Sequence, residues 1–253
     1  MKRGRIYRNG AVHAVTEHQG KVRMGSGQLL DETEVEWLTP IDPGTVFVLG
    51  LNYANHAAEL AFQAPEKPLL FLKGPNTFVG HRSQTRRPAD ATYMHYECEL
   101  AVVIGGQARG VSEAEAYDYV AGYTIANDYA IRDYLENYYR PNLRVKNRDA
   151  ATPLGPWLVD RADIEDPMNL TLRTFANGEQ TQQGSTREMI FTVPALIAYL
   201  SDFMTLNPGD VILTGTPEGL ADVKAGDVVT TEIEGLGRLV NTIVDDESWS
   251  GNS

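Results

Sequence analysis

Short apolar runs that end at glycine, proline or asparagine recur along the chain, and this pattern predicts a fold made mainly of β-strands. Several of the runs are apolar at nearly every position, which indicates strands that are buried on both faces of a sheet. These runs cover residues 45–49, 68–73, 100–104, 121–126 and 211–214. Asn-Gly pairs at residues 9–10 and 177–178 separate further strand candidates and are typical of tight β-hairpin turns. The sequence therefore predicts a mixed α+β protein that is mainly β.

Three segments carry helix signals. Residues 112–121 begin with a Ser and a Glu at capping-box spacing, and residues 129–136 form a second short candidate. Between residues 186 and 204, apolar positions recur at helical spacing. Pro194 lies inside this last stretch, so we expect the helix to begin near Thr192 with the proline in its first turn.

The spacing of turn residues also suggests how the chain is divided. Residues 1–40 form a small N-terminal β segment, and a turn-rich join follows it. Residues 41–245 form the main domain, and residues 246–253 form a loose acidic tail.

Composition narrows the class of protein. The 253 residues are 42% hydrophobic and 22% charged, as in a globular protein. The net charge of −12 argues against nucleic acid or an anionic membrane as a partner. We expect neither a secretory signal nor a membrane span, because no apolar run is long enough. The single cysteine, Cys98, cannot form an intramolecular disulfide and favours a reducing, cytoplasmic location.

Two carboxylates stand at the head of a buried strand candidate. Glu97 and Glu99 are two residues apart, so in a strand they project from the same face, roughly 6.6 Å apart. Like charges at a buried position are costly unless a cation lies between them. Asp128, at the end of the strand over residues 121–126, can supply a third oxygen ligand. Such a set favours Mg²⁺ or Mn²⁺. On spacing alone, a solvated strand edge explains Glu97 and Glu99 equally well.

Other residues suggest acid–base chemistry. His56 and Glu59 lie three residues apart, on one face of a short helix that Asn52 or Asn55 could cap. A His beside a carboxylate can act as a general acid or base near neutral pH, although such a pair is more often found on a surface. Lys73 ends a buried strand, where it could approach a site or reach solvent. The sequence gives no role to His81 or His95.

A basic cluster stands out in this acidic chain. It comprises Arg132, Arg140, Arg144, Lys146 and Arg148, against only Asp133 and Glu136. The cluster predicts an anionic small-molecule ligand, and a solvated helix face is the alternative. Tyr138 and Tyr139 could line such a pocket. Thr216 follows Gly215 at a strand end, where its hydroxyl could bind a carboxylate, or the pair could form a plain tight turn.

Several of these motifs together resemble the fumarylacetoacetate hydrolase superfamily. The motifs are the run YECELAVVIG over residues 96–105, Gly122-Tyr-Thr, Asn127-Asp128, GLNY with His56 and Glu59, Lys146, and TGTP over residues 214–217. The resemblance implies a β-sandwich roll with short helices, usually assembled as a homodimer or larger homo-oligomer. It also implies that Glu97, Glu99 and Asp128 hold the metal, that His56 and Glu59 form a catalytic dyad, and that Lys146 reaches the substrate.

Within this family, residues 127–146 are similar to the members that act in homoprotocatechuate and 4-hydroxyphenylacetate degradation. The resemblance implies a metal-dependent decarboxylase, a keto-enol isomerase, or both, acting on unsaturated 2-oxo and 2-hydroxy dicarboxylates. The substrate-binding candidates are Lys73, Arg132, Tyr138, Arg140, Arg144 and Thr216.

Two alternatives stay open. The first is another reaction of the family, hydrolysis of an acylpyruvate or decarboxylation of oxaloacetate. The second is a non-catalytic carboxylate-binding module. The joint presence of the dyad and the metal ligands argues against this second alternative, because a binding module needs no acid–base pair.

Overall fold

The computed structural model describes residues 1–55, 65–135 and 142–246. In these ranges the strands are β1 (Lys2–Arg8), β2 (Ala11–His18), β3 (Lys21–Met24), β4 (Leu29–Leu30), β5 (Glu36–Trp37), β6 (Val46–Gly50), β7 (Leu69–Lys73), β8 (Phe78–Val79), β9 (Gln84–Arg87), β10 (Met94–His95), β11 (Cys98–Ile104), β12 (Val120–Asn127), β13 (Ala130–Ile131), β14 (Thr152–Asp160), β15 (Thr171–Ala176), β16 (Glu179–Ser185), β17 (Val211–Leu213), β18 (Val228–Ile233) and β19 (Gly237–Asp245). The α-helices described in the same ranges are α1 (Leu143–Lys146) and α2 (Val193–Phe203).

Two sheets account for most of the described strands. The larger sheet has the order β4-β3-β2-β1-β14-β12-β11-β17-β6-β7, with β5 added beside β1 and β8 beside β14. The smaller sheet has the order β16-β15-β18-β19-β9 and packs against β11, β12 and β14 of the larger one. The short strands β10 and β13 pair with each other. The mainly β prediction is confirmed.

Strand β11 lies at the centre of this arrangement. One of its faces, with Leu100 and Val102, packs into a core shared with the smaller sheet and α2. The other face, with Ala101 and Val103, packs into a second apolar cluster on the opposite side of the sheet. Burial on both faces explains why the run is apolar throughout, and each fully buried large side chain contributes about 1.5–3 kcal/mol.

The turn predictions hold. Asn9 and Gly10 have φ of 52° and 78°, and Asn177 and Gly178 have φ of 52° and 85°. Positive φ at both central residues is the requirement of the type I′ turn, which matches the twist of the flanking strands. The first turn joins β1 to β2 and the second joins β15 to β16.

One of the three helix predictions is confirmed. Helix α2 begins after Thr192, whose hydroxyl accepts a hydrogen bond from the N–H of Ala195 at 3.3 Å, and Pro194 lies in its first turn. The helix predicted over residues 112–121 is wrong. There a single 3₁₀ turn, Ala116–Tyr119, leads directly into β12, because pairing with β11 already extends the chain from Val120.

The helix predicted over residues 129–136 is also wrong in its described part. Ala130 and Ile131 form β13 instead, and a 3₁₀ turn over Arg132–Tyr134 follows. The side chain of Asp133 accepts hydrogen bonds from the N–H groups of Thr92 and Tyr93, at 2.9 and 3.0 Å. These contacts hold the segment against the loop before β10, where a regular helix would lose them.

The N-terminal strands join the larger sheet through β1, which pairs with β14. They enclose a small apolar cluster that includes Ile6 and Trp37, and Trp157 of β14 packs against it. The predicted division at residue 40 stays a prediction, and most of the predicted tail lies outside the described residues. No helix in the described ranges has the length and apolar character needed to cross a membrane.

Candidate active site

Three carboxylates meet where β11 begins and β12 ends. The antiparallel register pairs Cys98 with Asn127, so Glu97 and Asp128 fall side by side just beyond the two strands. The N–H of Asp128 donates to the carbonyl of Glu97 at 2.9 Å. Side-chain oxygens of Glu97, Glu99 and Asp128 lie within 4.8 Å of one another, and all three residues are buried.

The environment of Glu99 tests whether these residues fit a metal ion. Its Oε2 accepts a hydrogen bond from the N–H of Gly215 at 2.7 Å, whereas its Oε1 is fully buried and has no hydrogen-bond partner. Burial, and then the charges of Asp128 and Glu97, raise the pKa of Glu99 well above its usual value. A buried oxygen without a donor and an all-carboxylate ligand set both match a hard divalent cation such as Mg²⁺ or Mn²⁺.

Two buried lysines contact the same carboxylates. Nζ of Lys146 donates to Glu97 Oε2 at 2.5 Å and to Asp128 Oδ2 at 2.7 Å. Nζ of Lys73 donates to the other oxygen of Asp128, Oδ1, at 2.6 Å and also to the carbonyl of Lys146. Asp128 is therefore held by one ammonium group on each oxygen.

The two lysines differ in their electrostatic balance. Burial lowers the pKa of Lys73, and the charge of Asp128 only partly offsets this effect. Burial also acts to lower the pKa of Lys146, but attraction to Asp128, Glu97 and Glu99 outweighs it and raises the pKa. Lys146 is thus the more firmly charged of the two groups.

A cavity of about 250 Å³ opens over this cluster. Its described lining includes both apolar and polar residues, and comprises Leu49, Gly50, Leu51, Leu69, Phe71, Glu97, Arg132, Leu135, Asn142, Lys146 and Thr216. Arg132 places its Nη2 4.0 Å from Glu97 Oε1, and its buried Nε has no hydrogen-bond partner. The cavity therefore offers cationic donors to an anionic ligand beside the carboxylate cluster.

Contacts that the sequence did not predict hold Thr216 and the loop around it. Its hydroxyl accepts a hydrogen bond from Nε2 of Gln182 at 2.9 Å, and the same nitrogen donates to the carbonyl of Pro217 at 2.7 Å. Asn52 supports the same loop two residues earlier by donating to the carbonyl of Thr214 at 2.8 Å. Gln182 lies more than 30 residues from Thr216 along the chain, so only the folded structure reveals the contact.

His95 is a further neighbour that sequence reasoning left without a role. It is fully buried, and its Nδ1 lies 3.2 Å from the carbonyl of Tyr96 and 3.6 Å from Oε1 of Glu97. Burial lowers the pKa of His95 to about 3, so the ring is neutral at physiological pH. His95 therefore adds no formal charge beside Glu97.

The remaining predicted site residues lie outside the described cavity lining or outside the described residues. Lys73 lies beneath Asp128 and is not part of the described cavity lining. Arg144 is exposed and is not among the residues that line the described cavity, and its guanidinium lies over the ring of Tyr134 at 4.2 Å. His56, Glu59, Tyr138 and Arg140 lie outside the described residues.

Comparison with known proteins gives consistent matches. A family profile described as fumarylacetoacetate (FAA) hydrolase C-terminal matches residues 45–244. The 4-hydroxyphenylacetate degradation bifunctional isomerase/decarboxylase of Salmonella dublin is 66% identical over 205 residues, which are 81% of this chain and 48% of that protein. The chain thus spans about half the length of the curated relatives that it matches first.

Solved structures match over nearly the whole chain. The 5-carboxymethyl-2-hydroxymuconate delta-isomerase from Mycobacterium smegmatis has a TM-score of 0.85 at 38% identity, covering 97% of this chain and 99% of that one. The 2-hydroxyhepta-2,4-diene-1,7-dioate isomerase from Mycobacterium marinum has a TM-score of 0.85 at 36% identity, covering 98% and 99%. The predicted roll of β-sheets with short helices is confirmed by these similarities.

Proposed function

Since this chain belongs to the fumarylacetoacetate hydrolase family, we propose that it is a divalent-metal-dependent enzyme of 4-hydroxyphenylacetate (homoprotocatechuate) degradation. Its substrates are unsaturated 2-oxo and 2-hydroxy dicarboxylates, which it isomerises, decarboxylates or both. The observation that carries the proposal is the buried cluster of Glu97, Glu99 and Asp128, with Lys146 beside it and Arg132 in the wall of the same cavity.

The cluster supports a specific division of labour. Glu97, Glu99 and Asp128 would hold Mg²⁺ or Mn²⁺, which supplies Lewis-acid stabilisation of the negative charge on an enolate. Lys146 lines the cavity and carries a firm positive charge, so its ammonium group can donate a hydrogen bond to a substrate oxygen on which charge develops. Arg132 can bind a carboxylate through its Nε.

Both reactions need a proton to be moved at carbon. Loss of CO₂ from a 2-oxo acid system leaves an enolate, and isomerisation of a 2-hydroxydiene removes the hydroxyl proton and returns one to a carbon atom. We assign this transfer to His56 and Glu59, whose helical spacing suits a general acid–base pair. Tyr138, Arg140 and Arg144 complete the proposal as candidates near the distal carboxylate, and Thr216 as a candidate near the cluster.

Isomerisation has support from two of the solved structures that match over nearly the whole chain, because both are named as isomerases. Decarboxylation has support from the curated relatives, which are named as bifunctional isomerase/decarboxylases. The proposal further includes assembly as a homodimer or larger homo-oligomer, and a reducing, cytoplasmic location that fits the lone buried Cys98.

The decisive experiment is a substrate panel with Mg²⁺ or Mn²⁺. We expect turnover of 2-hydroxyhepta-2,4-diene-1,7-dioate, measured as loss of its diene absorbance. Alternatively, we expect release of CO₂ from 5-oxopent-3-ene-1,2,5-tricarboxylate. Either rate should exceed those with oxaloacetate and with an acylpyruvate. A faster reaction with either of these two compounds would replace the proposal with the corresponding alternative. No turnover of any compound in the panel would leave a carboxylate-binding module.

Arg132 provides a test of substrate class. A charge-assisted contact to a carboxylate contributes about 1.5–3 kcal/mol, so Arg132→Gln should raise KM for the dioate about ten- to a hundredfold. An analogue with a methyl group in place of the distal carboxylate distinguishes the two ends of the substrate. If KM rises equally for both compounds, Arg132 binds the end nearer the metal and not the distal carboxylate.

A further inference from the structure

The end of β7 contacts the chain that follows Lys146 at an edge of the larger sheet. Strand β7 is the last strand at its end of the described sheet, and Lys73 is its final residue. Backbone groups at a sheet edge need hydrogen-bond partners from outside the sheet. Two such groups, the carbonyl of Leu72 and the N–H of Gly74, flank Lys73 directly.

Both groups are bound by one side chain, that of Asn147. Its Nδ2 donates to the carbonyl of Leu72 at 3.0 Å, and its Oδ1 accepts from the N–H of Gly74 at 2.6 Å. The amide thus takes the place that a neighbouring strand would occupy. Asn147 immediately follows Lys146, so this contact ties the backbone that carries one buried lysine to the backbone that carries the other.

The side chains of the two lysines also link the two backbone segments. Lys73 donates to the backbone carbonyl of Lys146 and to Oδ1 of Asp128, and Lys146 donates to Oδ2 of Asp128. The contacts form a closed ring through Lys73, Asp128, Lys146 and Asn147. A shift of either backbone segment must therefore move both ammonium groups relative to Asp128.

The helix that carries Lys146 cannot supply this precision by itself. Helix α1 has four residues, and isolated helices of such length are unstable in water. Its own backbone hydrogen bonds are few, from the N–H of Lys146 to Asn142 and from the N–H of Asn147 to Leu143. Contacts outside the helix must hold its C-terminal end in place.

We propose that Asn147 is a positioning residue that fixes the two buried ammonium groups of Lys73 and Lys146 against Asp128. This inference rests on the proposed function, because the role of Lys146 is to share charge with the reacting substrate. Asn147 touches neither the described cavity nor the carboxylates, so it acts only through the lysines. An error of about 1 Å in such a group can reduce the rate up to a hundredfold.

The kinetic test uses Asn147→Ala, which removes both side-chain contacts. We expect kcat to fall about tenfold or more while KM changes less than about threefold, because substrate binding by Arg132 is left intact. In a double-mutant cycle, adding Asn147→Ala to Lys146→Met should cost little further rate, since Lys146 is the positioned group that lines the cavity and it is already gone. Full additivity of the two effects, or a parent kcat in Asn147→Ala, would overturn the proposal.

A matched control is available on the β15–β16 turn. Asn177 also binds a neighbouring segment through both side-chain atoms, donating to Asp227 at 2.8 Å and accepting from the N–H of Val228 at 2.9 Å. None of these residues belongs to the site. Asn177→Gly suits the positive φ there and should change thermal stability without changing kcat. An equal loss of kcat in this variant would show that Asn147→Ala acts through general destabilisation.

A second measurement does not depend on activity. Reductive methylation mapped by mass spectrometry should leave Lys73 and Lys146 protected in the parent protein, and Asn147→Ala should increase labelling at both. Labelling of the exposed Lys21 and Lys224 should stay constant. If the substrate panel shows no turnover, the proposed function fails while labelling still decides whether Asn147 holds the lysines. Unchanged labelling would refute the positioning role, and the same measurement applies if Lys146→Met does not fold.

Discussion

At the scale of single residues, the formal charges in the site cancel. Three carboxylates and two ammonium groups lie together, and the guanidinium of Arg132 is 4.0 Å from Glu97, so these six groups carry no net formal charge. A bound divalent cation would change this sum to two net positive charges. The metal-loaded cluster would then attract a dicarboxylate more strongly than the metal-free cluster does. Metal binding and substrate binding should therefore be coupled.

Glu99 is the residue on which this balance can be tested. Because its Oε1 is buried without a donor, Glu99→Gln removes a buried charge and breaks no hydrogen bond to that atom. We expect the metal-free variant to be more stable than the metal-free parent by about 1–3 kcal/mol of unfolding free energy. Its affinity for Mn²⁺ should fall about a hundredfold or more, because loss of an outer-sphere partner alone costs up to that factor.

Calorimetric titration with Mn²⁺ and thermal unfolding of the metal-free proteins measure the two effects. Glu115→Gln is the control, since Glu115 is exposed, its side chain accepts hydrogen bonds from Ser112, and it is not part of the carboxylate cluster. A variant Glu99→Gln that binds Mn²⁺ like the parent would remove Glu99 from the ligand set.

The predicted dyad makes a separate residue-scale prediction. His56→Ala and Glu59→Ala should each reduce kcat by roughly a hundredfold or more, as expected for loss of general acid–base catalysis. Titration calorimetry should show unchanged Mn²⁺ affinity in both variants, because the ligands lie at the start of β11 and just after the end of β12. Parent turnover in both variants would reassign His56 and Glu59 to a surface pair.

At the scale of elements, the strands were predictable and the loops that support the site were not. A run apolar on both faces identifies β11, and its register with β12 brings Asp128 beside Glu97. The failed helix over residues 112–121 shows the limit of local signals. Its capping contact does form, with Ser112 Oγ donating to Glu115 at 2.6 Å, yet strand pairing determines the backbone.

Some residues of the site were predictable from strand geometry, and others were not. Glu97, Glu99 and Asp128 are identifiable because their spacing relates to strand geometry. Gln182 and Asn147 cannot be identified from the sequence, because their hydrogen-bond partners are 34 and 73 residues away along the chain. The residues next to them in sequence also form no periodic pattern. Long-range polar contacts of this kind depend on the packing of whole elements, which no local pattern encodes.

The loop after β17 gives an element-scale prediction. Gly215 has φ of 87°, a Cβ there would lie 2.9 Å from Cβ of Asn52, and its N–H donates to Glu99. Gly215→Ala should therefore displace this loop, destabilise the protein by about 1–3 kcal/mol and weaken Mn²⁺ binding. Gly178→Ala is the matched control, since φ is 85° with no atom near the added Cβ. It should destabilise the fold and leave Mn²⁺ binding unchanged; equal weakening in both variants would contradict the prediction.

At the scale of the whole molecule, the site joins parts of the chain that are distant in sequence. The larger sheet brings β7, β11 and β12 together, and β17 delivers Gly215 and Thr216 to the same place. The smaller sheet covers β11 and β12 and supplies Gln182. Each of these elements contributes a contact to the carboxylate cluster or to its cavity, so a ligand bound there stabilises contacts across the whole fold.

This arrangement predicts a large effect of metal on global stability. A ligand present at about 100 times its Kd adds about 2.7 kcal/mol to the free energy of unfolding. For a chain of roughly this size, each kcal/mol shifts Tm by about 2–4 °C, so removal of metal with EDTA should lower Tm by roughly 5–10 °C. Added Mn²⁺ or Mg²⁺ should restore it, and the Glu99→Gln variant should show a much smaller shift because its cluster lacks one ligand and one charge. If neither EDTA nor added metal changes Tm, Lys73 and Lys146 alone stabilise the buried carboxylates. That result would refute the metal-dependent mechanism.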